Sequence, residues 1–433
     1  MTLLPVPGTG SDASATTGSL VARTVPIPIS LAHDLLAVLP SAPADHLFSW
    51  VRRGEGFVGW GRVTSVAASG QDRFSAAETW WQGLVRNAEV HDVVGVPGTG
   101  PIALGSFAYS ADSPQGASLT VPQVVVGRRG DRAWVTTMGL GSAPAVPELV
   151  ASRPEQPIGV RFADGVRSSP EWATLVSSAI RRIVDGALDK VVLARDLEVQ
   201  ADAPIDTRWI LARLAERYDN TWVFSVDGLV GATPELLVRL DKGLVHSRVL
   251  AGTIRRTGDD EHDLALAGSL ARSSKDLEEH EYAVRSVADA LRPHCYSMNV
   301  PEAPFVLHLT NVMHLATDVA GVLGDRTTSL TLAASLHPSA AVCGTPTDKA
   351  DAVIADIEGM DRGRYAGPVG WMDAGGDGEW GIALRCGTVE DASRMRLFAG
   401  CGIVAGSDPE AELAESDAKL IPMRDALTAP PLG

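Results

Sequence analysis

Residues 222–256 read WVFSVDGLVGATPELLVRLDKGLVHSRVLAGTIRR. Apolar and β-branched residues alternate with polar ones, and the turn formers DG, TP and DKG break the run into short pieces. That pattern predicts several antiparallel strands in succession, with no room for a crossover helix between them. Parallel βαβ architecture is therefore disfavoured from the middle of the chain outward.

The flanking sequence agrees. Towards the N-terminus, HLFSWVRRGEGFVGWGRVTSV, PIALGSFAYS and LTVPQVVVGRRGDRAWVTTMG read as strands around Gly-containing turns, and SAAETWWQGLVRNAEV has helical spacing. The Pro-, Ser- and Ala-rich segment 142–157 is the best candidate boundary. Beyond it, SSPEWATLVSSAIRRIVDGAL predicts a helix with Ser169 as cap and Pro170 as first helical residue. KVVLARDLEV is a strand, 259–293 is charged and helical, and DKADAVIADIEGMD is a helix. GIALRCGTV and RMRLFAGCGIVAG are strands, and the last helix starts near Asp408 or Pro409. Strands in clusters with helices between them predict an α+β fold of large layered antiparallel sheets. Three regions are expected: a flexible leader over 1–20, a strand-rich N-terminal half over 21–150, and a main region over 165–425 that is continuous with it.

The 433 residues carry a formal charge of −16, with 45% hydrophobic and 21% charged side chains. An acidic chain is a poor partner for nucleic acid or anionic membrane. It has no run of about 18 apolar residues, so no transmembrane helix is expected. The four cysteines, at 295, 343, 386 and 401, show no CxxC spacing and read as reduced thiols of a cytoplasmic protein. GxxxxGK[ST], HExxH and GxSxG are absent, and no GxGxxG leads from a strand into a helix, which weighs against nucleotide-phosphate, zincin and serine-hydrolase chemistry.

Chemistry concentrates in the acids. Glu412 and Glu415 lie three apart on a predicted helix and share one face. Asp276 and Glu279 repeat that spacing in SSKDLEEHEYAV. Two such pairs meeting across a cleft would repel unless a cation intervened, and an all-oxygen set suits Mg²⁺. Taken singly, each pair also fits a solvated helix face favoured by the dipole. Lys190 opens the strand KVVLA, where it is either solvated or, drawn out of water, a base. Glu235, in GATPELL, is either a turn residue facing water or a carboxyl with a raised pKa suited to general-acid work. Arg385, near the middle of an apolar strand, needs a partner and can bind a carboxylate bidentately. His337 precedes a proline and either packs in its turn or touches a ligand.

Taken in order, KVVLARDLEV, GATPELLVRL, RVLAGTIRR, KDLEEHEYAV, LHPSAAVCGTPTDKA, DRGRYAGPVGW, GIALRCGTV and AGCGIVAGSDPEAELAESDAKL resemble the motifs of the chorismate-utilising enzymes over about residues 165–425. The resemblance implies the anthranilate synthase component I-like fold, Mg²⁺ as cofactor and the small dicarboxylate chorismate as substrate. A monomer or weak homodimer is expected, with no nucleic acid or membrane partner for so acidic a chain. Glu279 and Glu415 would hold the metal, helped by Asp276 and Glu412. The family commonly has Glu at the place of Asp276, which puts a direct bond there in question. Tyr365 and Arg385 would grip a substrate carboxylate, and His337, Gly252, Thr253, Gly344, Thr345, Gly400 and Gly402 would line the pocket. Lys190 matches the lysine that activates water in isochorismate and salicylate synthases. Ala251 stands where aminodeoxychorismate synthases place a lysine. Both positions point to water as nucleophile, with Glu235 as acid and an isochorismate synthase of menaquinone or siderophore type as first reading. Salicylate synthase, anthranilate synthase component I and a non-catalytic chorismate binder are the alternatives.

Overall fold

The computed structural model describes residues 18–309 and 312–428, apart from the side chains of Lys275 and Glu279. The expected leader falls almost wholly outside this range, and the chain is already in a strand at Leu20.

Two large sheets form the frame. The first has thirteen strands. Their spatial order is 161–164, 190–200, 394–403, 386–389, 229–233, 222–226, 47–52, 55–60, 124–129, 132–140, 20–26 and 89–92, with Gly344–Thr345 on the edge of 190–200. The second has ten, in the order 295–299, 312–323, 244–255, 236–241, 378–382, 368–373, 102–107, 117–121 and 64–68, with 305–308 alongside 312–323. Among the described residues every pairing is antiparallel except that of 20–26 with 89–92. In each sheet a block of strands from before residue 150 joins a block from beyond it along one seam: Trp50 pairs with Phe224, and Leu104 with Trp371.

The main core lies between the sheets. Phe57 of the first meets Trp371 of the second edge to face at 5.2 Å, and the Trp50 indole N–H donates to Glu379 Oε2 at 2.7 Å. A second core covers the outer face of the first sheet, where Ile210, Leu211, Leu420 and Met423 from helices share one cluster with Val58, Val126 and Val135. Burying aromatic and branched side chains on both sides of a sheet is the dominant stabilising term, roughly 1.5–3 kcal/mol per large side chain.

The elements that carry the site are, in chain order, helix α1 (Ser169–Val184) and strands β1 (Lys190–Gln200), β2 (Leu229–Thr233), β3 (Leu236–Asp241) and β4 (Leu244–Arg255). Helix α2 (Ser274–Leu291), strand β5 (Val312–Leu323) and helix α3 (Thr347–Ile357) follow. Strands β6 (Gly378–Ile382), β7 (Cys386–Val389) and β8 (Arg394–Ile403) and helix α4 (Pro409–Thr428) complete the set. α1 is capped one residue earlier than its sequence suggests. Ser168 and Glu171 form a reciprocal capping box, which places Glu171 at the third helical position. α4 begins as expected, with the Asp408 carboxylate accepting the Ala411 amide at 2.9 Å.

Candidate active site

Between the two sheets lies a cavity of about 210 Å³. Its polar lining comes from four places in the fold.

The first is the point where the chain passes from one sheet to the other. β2 belongs to the first sheet and β3 to the second, and Glu235 sits in the connection between them. β6 and β7 are joined across the same gap, and Arg385 sits in that connection. Arg385 is thus not mid-strand, as its apolar neighbours suggested. It has a left-handed φ of 49°, which turns the chain between sheets. The two crossings are bonded to each other. Ile382 N–H donates to the Glu235 carbonyl at 3.1 Å, Ala232 N–H to the Arg385 carbonyl at 3.1 Å, and the Thr233 hydroxyl to the Ile382 carbonyl at 2.6 Å. Both Glu235 and Arg385 line the cavity.

The second is the start of β1. Lys190 is 8% exposed and lines the cavity. β1 pairs with β8, setting Val192 opposite Gly402 and Ala194 opposite Gly400. Both glycines line the cavity. A Cβ on Gly400 would lie 3.1 Å from the Tyr365 hydroxyl, so the missing side chain gives that ring its place. Tyr365 lines the cavity and stacks on Phe398 at 5.2 Å. Gly344 and Thr345 are not lining residues. They pair with Val191 and Lys190, and a Cβ on Gly344 would meet the Lys190 carbonyl at 2.2 Å. Their place is therefore behind the lysine, against its backbone.

The third is β4, where the register with β5 slips between Ala251 and Thr253. Gly252 absorbs this bulge at φ 73° and lets Asp276 of α2 approach, its Cβ 3.2 Å from where a Gly252 Cβ would stand. Gly252, Thr253 and Asp276 all line the cavity. Glu279 lies one turn further along α2, and its side chain is outside the described residues.

The fourth is α4, which presents Glu412 and Glu415. Donor atoms of Glu412, Glu415 and Cys401 lie within 4.8 Å of one another. Burial pushes the Cys401 thiol up to about 12, and the neighbouring glutamates add to that effect. It is a neutral thiol donating to the Glu412 carbonyl at 3.3 Å. Two converging carboxylates with a third, Asp276, on the facing helix form a hard oxygen set of the kind that fits Mg²⁺. Burial would raise the Glu415 carboxyl. Lys419, with Arg385 and Lys190, overcomes this and holds it below the usual range.

The electrostatics separate the two carboxyls by role. Burial pushes Glu235 up to about 7 against the pull of Arg385, Lys190 and Lys419. Glu415 stays ionised while Glu235 is poised between forms at neutral pH.

His337 belongs elsewhere. It lines a second cavity, its Nε2 is 2.9 Å from the Tyr109 carbonyl oxygen, and it packs between the Phe74 and Tyr109 rings. Three polar lining residues went unread in the sequence. Lys419 bridges Glu415 Oε1 at 2.6 Å and donates to the Gly400 carbonyl at 2.9 Å. His314 Nδ1 meets the Thr253 hydroxyl at 2.9 Å, and burial pushes its ring down to about 3, so it is neutral. Arg362 is paired with Glu358 at 2.6 Å. Lys419 and Arg362 each left a local signal, the i,i+4 spacing from Glu415 and from Glu358, but only Glu415 was already read as a site residue.

Comparison with known proteins identifies the family. A family model described as chorismate binding enzyme matches residues 12–428. Isochorismate synthase DhbC of Bacillus subtilis is 43% identical over 264 residues, 58% of this chain and 66% of that protein. Isochorismate synthase EntC of Escherichia coli is 38% identical over 328 residues, 75% of this chain and 80% of that protein. The solved structure of MenF, the menaquinone-specific isochorismate synthase from Escherichia coli, superposes with a TM-score of 0.80 at 24% identity, covering 95% of this chain and 96% of that one. Anthranilate synthase component I from Streptococcus pneumoniae shares the fold at a TM-score of 0.68 and 20% identity, covering 89% of this chain and 93% of that one. The chain belongs to the chorismate-binding enzyme family.

Proposed function

We propose that the protein is an isochorismate synthase, converting chorismate to isochorismate by adding water at C2 and expelling the C4 hydroxyl. The observation that carries this reading is Glu235, a buried carboxyl held at about 7, in one cavity with Lys190. An acid and a base on one pocket are what a hydroxyl exchange needs. Lys190 takes a proton from the attacking water, Glu235 gives one to the departing hydroxyl, and the ring double bonds shift between them. One water enters and one leaves. The printed names of the B. subtilis and E. coli relatives support the same activity.

Arg385 and Tyr365 receive a substrate carboxylate, with Gly400 and Gly402 allowing close approach. Glu415, Glu412 and Asp276, with Glu279, would hold Mg²⁺. Bound there, the ion supplies charge neutralisation for a second carboxylate of the substrate. The setting is a reducing cytoplasm, which suits four free thiols. No helix among the described residues is long and apolar enough to cross a membrane. The product serves menaquinone or siderophore synthesis.

The test is incubation of the purified protein with chorismate and Mg²⁺, with products separated by HPLC. Isochorismate alone is the expected product. Salicylate with pyruvate, anthranilate on adding ammonium, or binding without turnover would each replace this reading with another.

A further inference from the structure

The outer edge of β1 is unusual where it borders the cavity. Its inner edge is laddered to β8 from Val191 to Gln200. On the outer side, Gly344–Thr345 covers Lys190 and Val191, and strand 161–164 covers Leu197 to Gln200. Between these covers, at Val192 and Ala194, no strand pairs with it among the described residues. An uncovered edge in a buried place leaves backbone groups that must find partners.

Side chains and one loop supply them. Val192 N–H donates to the Cys343 carbonyl at 2.8 Å. The Val192 carbonyl accepts from Arg362 Nη2 at 2.7 Å. Ala194 N–H donates to Glu358 Oε2 at 2.9 Å. The Ala194 carbonyl accepts from the Trp172 indole of α1 at 3.0 Å. Glu358 and Arg362 clasp each other through two bonds, at 2.7 and 2.6 Å, and both are almost fully buried. Arg362 Nη1 also donates to the Val342 carbonyl at 2.9 Å, and Val342 is itself a wall of the cavity. One ion pair therefore stands in for a missing strand and ties the lysine-bearing strand to the facing wall.

We propose that Glu358 and Arg362 are positioning residues for Lys190, setting where its strand enters the cavity. This rests on Lys190 being the base of the proposed reaction. The pair's energetics favour a positioning role over a purely stabilising one. A buried ion pair contributes little net stability compared with well-packed apolar residues of similar size. What an apolar pair cannot supply is a fixed donor to the carbonyls of Val192 and Val342 and a fixed acceptor for Ala194. Displacing a reacting group by about 1 Å can cost on the order of 100-fold in rate.

The test compares wild-type protein with the double variant Glu358→Leu/Arg362→Met and with Arg362→Lys, which keeps the charge and loses the fork. Turnover is followed as loss of chorismate, whatever the product. The expected result is a fall in kcat of at least ~10-fold with KM changed little, and a pH profile displaced from that of wild type. Hydrogen exchange at the Ala194 amide should speed up in the double variant, while the Leu193 amide, which faces β8, stays protected. If the double variant does not fold, Arg362→Lys carries the kinetic test alone. Folded variants with wild-type kcat and pH profile would overturn the proposal, as would an unchanged Ala194 exchange rate in the folded double variant. Salicylate with pyruvate from wild-type protein refutes the assigned product and leaves this proposal standing, because Lys190 would still activate the water, whereas anthranilate on adding ammonium would overturn both.

Discussion

Lys419 Nζ lies 2.6 Å from Glu415 Oε1, one helical turn away, and also donates to the carbonyl of Gly400. The lysine is partly buried, which works against its charge, but its acidic neighbours outweigh this and hold its ammonium above the usual lysine range. It thereby holds one carboxylate of the proposed metal set in its charged form and anchors that carboxylate to the cavity floor. Glu410, five residues earlier, is exposed and has no part in this arrangement.

Glu415→Gln is accordingly expected to abolish turnover, and Glu410→Gln to leave it within about two-fold of wild type, because exposed acids couple weakly to a buried site. EDTA should abolish wild-type activity. Added Mg²⁺ should raise the melting temperature of wild-type protein by mass action, and that rise should be lost in Glu415→Gln. A Mg²⁺-independent wild type, or an inactive Glu410→Gln, would contradict the assignment.

Lys190→Ala and Glu235→Gln should each reduce kcat by at least ~100-fold, the usual contribution of one general acid or base. Circular dichroism should show both variants folded. A variant that keeps near-full turnover removes its residue from the mechanism.

The pH dependence follows from Glu235. Its folded value, about 7, lies above the ordinary 4.5, so the carboxyl is a proton donor below about pH 7 and loses that capacity above it. kcat/KM should fall as pH rises through about 7. The sign for stability is the same. Between about pH 4.5 and 7 the unfolded chain ionises this carboxyl while the folded one holds its proton, so the protein loses stability as pH rises, by about 3 kcal/mol in all. In metal-free protein at pH 8, Glu235→Gln should therefore melt higher than wild type while being inactive. Equal melting temperatures would show that Glu235 is not desolvated.

Gly400→Ala tests the packing of the floor. Its new Cβ would press on the Tyr365 hydroxyl and the Leu193 carbonyl, both 3.1 Å away. The expected cost is about 1–3 kcal/mol of stability, as for other overpacked sites, with a raised KM for chorismate. Chemical denaturation and steady-state kinetics measure the two effects separately.

Much of this was legible in the chain. Alternation over 222–256 gave the antiparallel sheets, and the spacing of Glu412 and Glu415 placed both carboxylates on one face of α4. Motif resemblance placed Lys190, Glu235, Tyr365 and Arg385 on one pocket, which they do line. The remainder is hidden for identifiable reasons. Arg385 reads as mid-strand because a residue that turns the chain between sheets keeps strand-like neighbours on both sides. His337 reads as a pocket residue because a histidine before proline gives no sign of which way its turn faces. His314 sits in a run that alternates like any strand, so nothing local marks its ring as lining the cavity. Glu358 and Arg362 look like an ordinary i,i+4 surface pair, and only the tertiary fold buries them.

Among the described residues, every residue that lines the catalytic cavity lies at or beyond position 190, yet strands from before residue 150 run through both sheets. The N-terminal half is thus a frame without reagents. Glu235 and Arg385 sit where the chain steps between sheets, so sliding one sheet past the other would pull the proposed proton donor and anion clamp off their marks. The strands at 47–52 and 102–107, each paired with a strand from beyond residue 220, are the stays that prevent that shear. Cutting the chain near residue 150 would remove no reacting group and would still be expected to silence the enzyme.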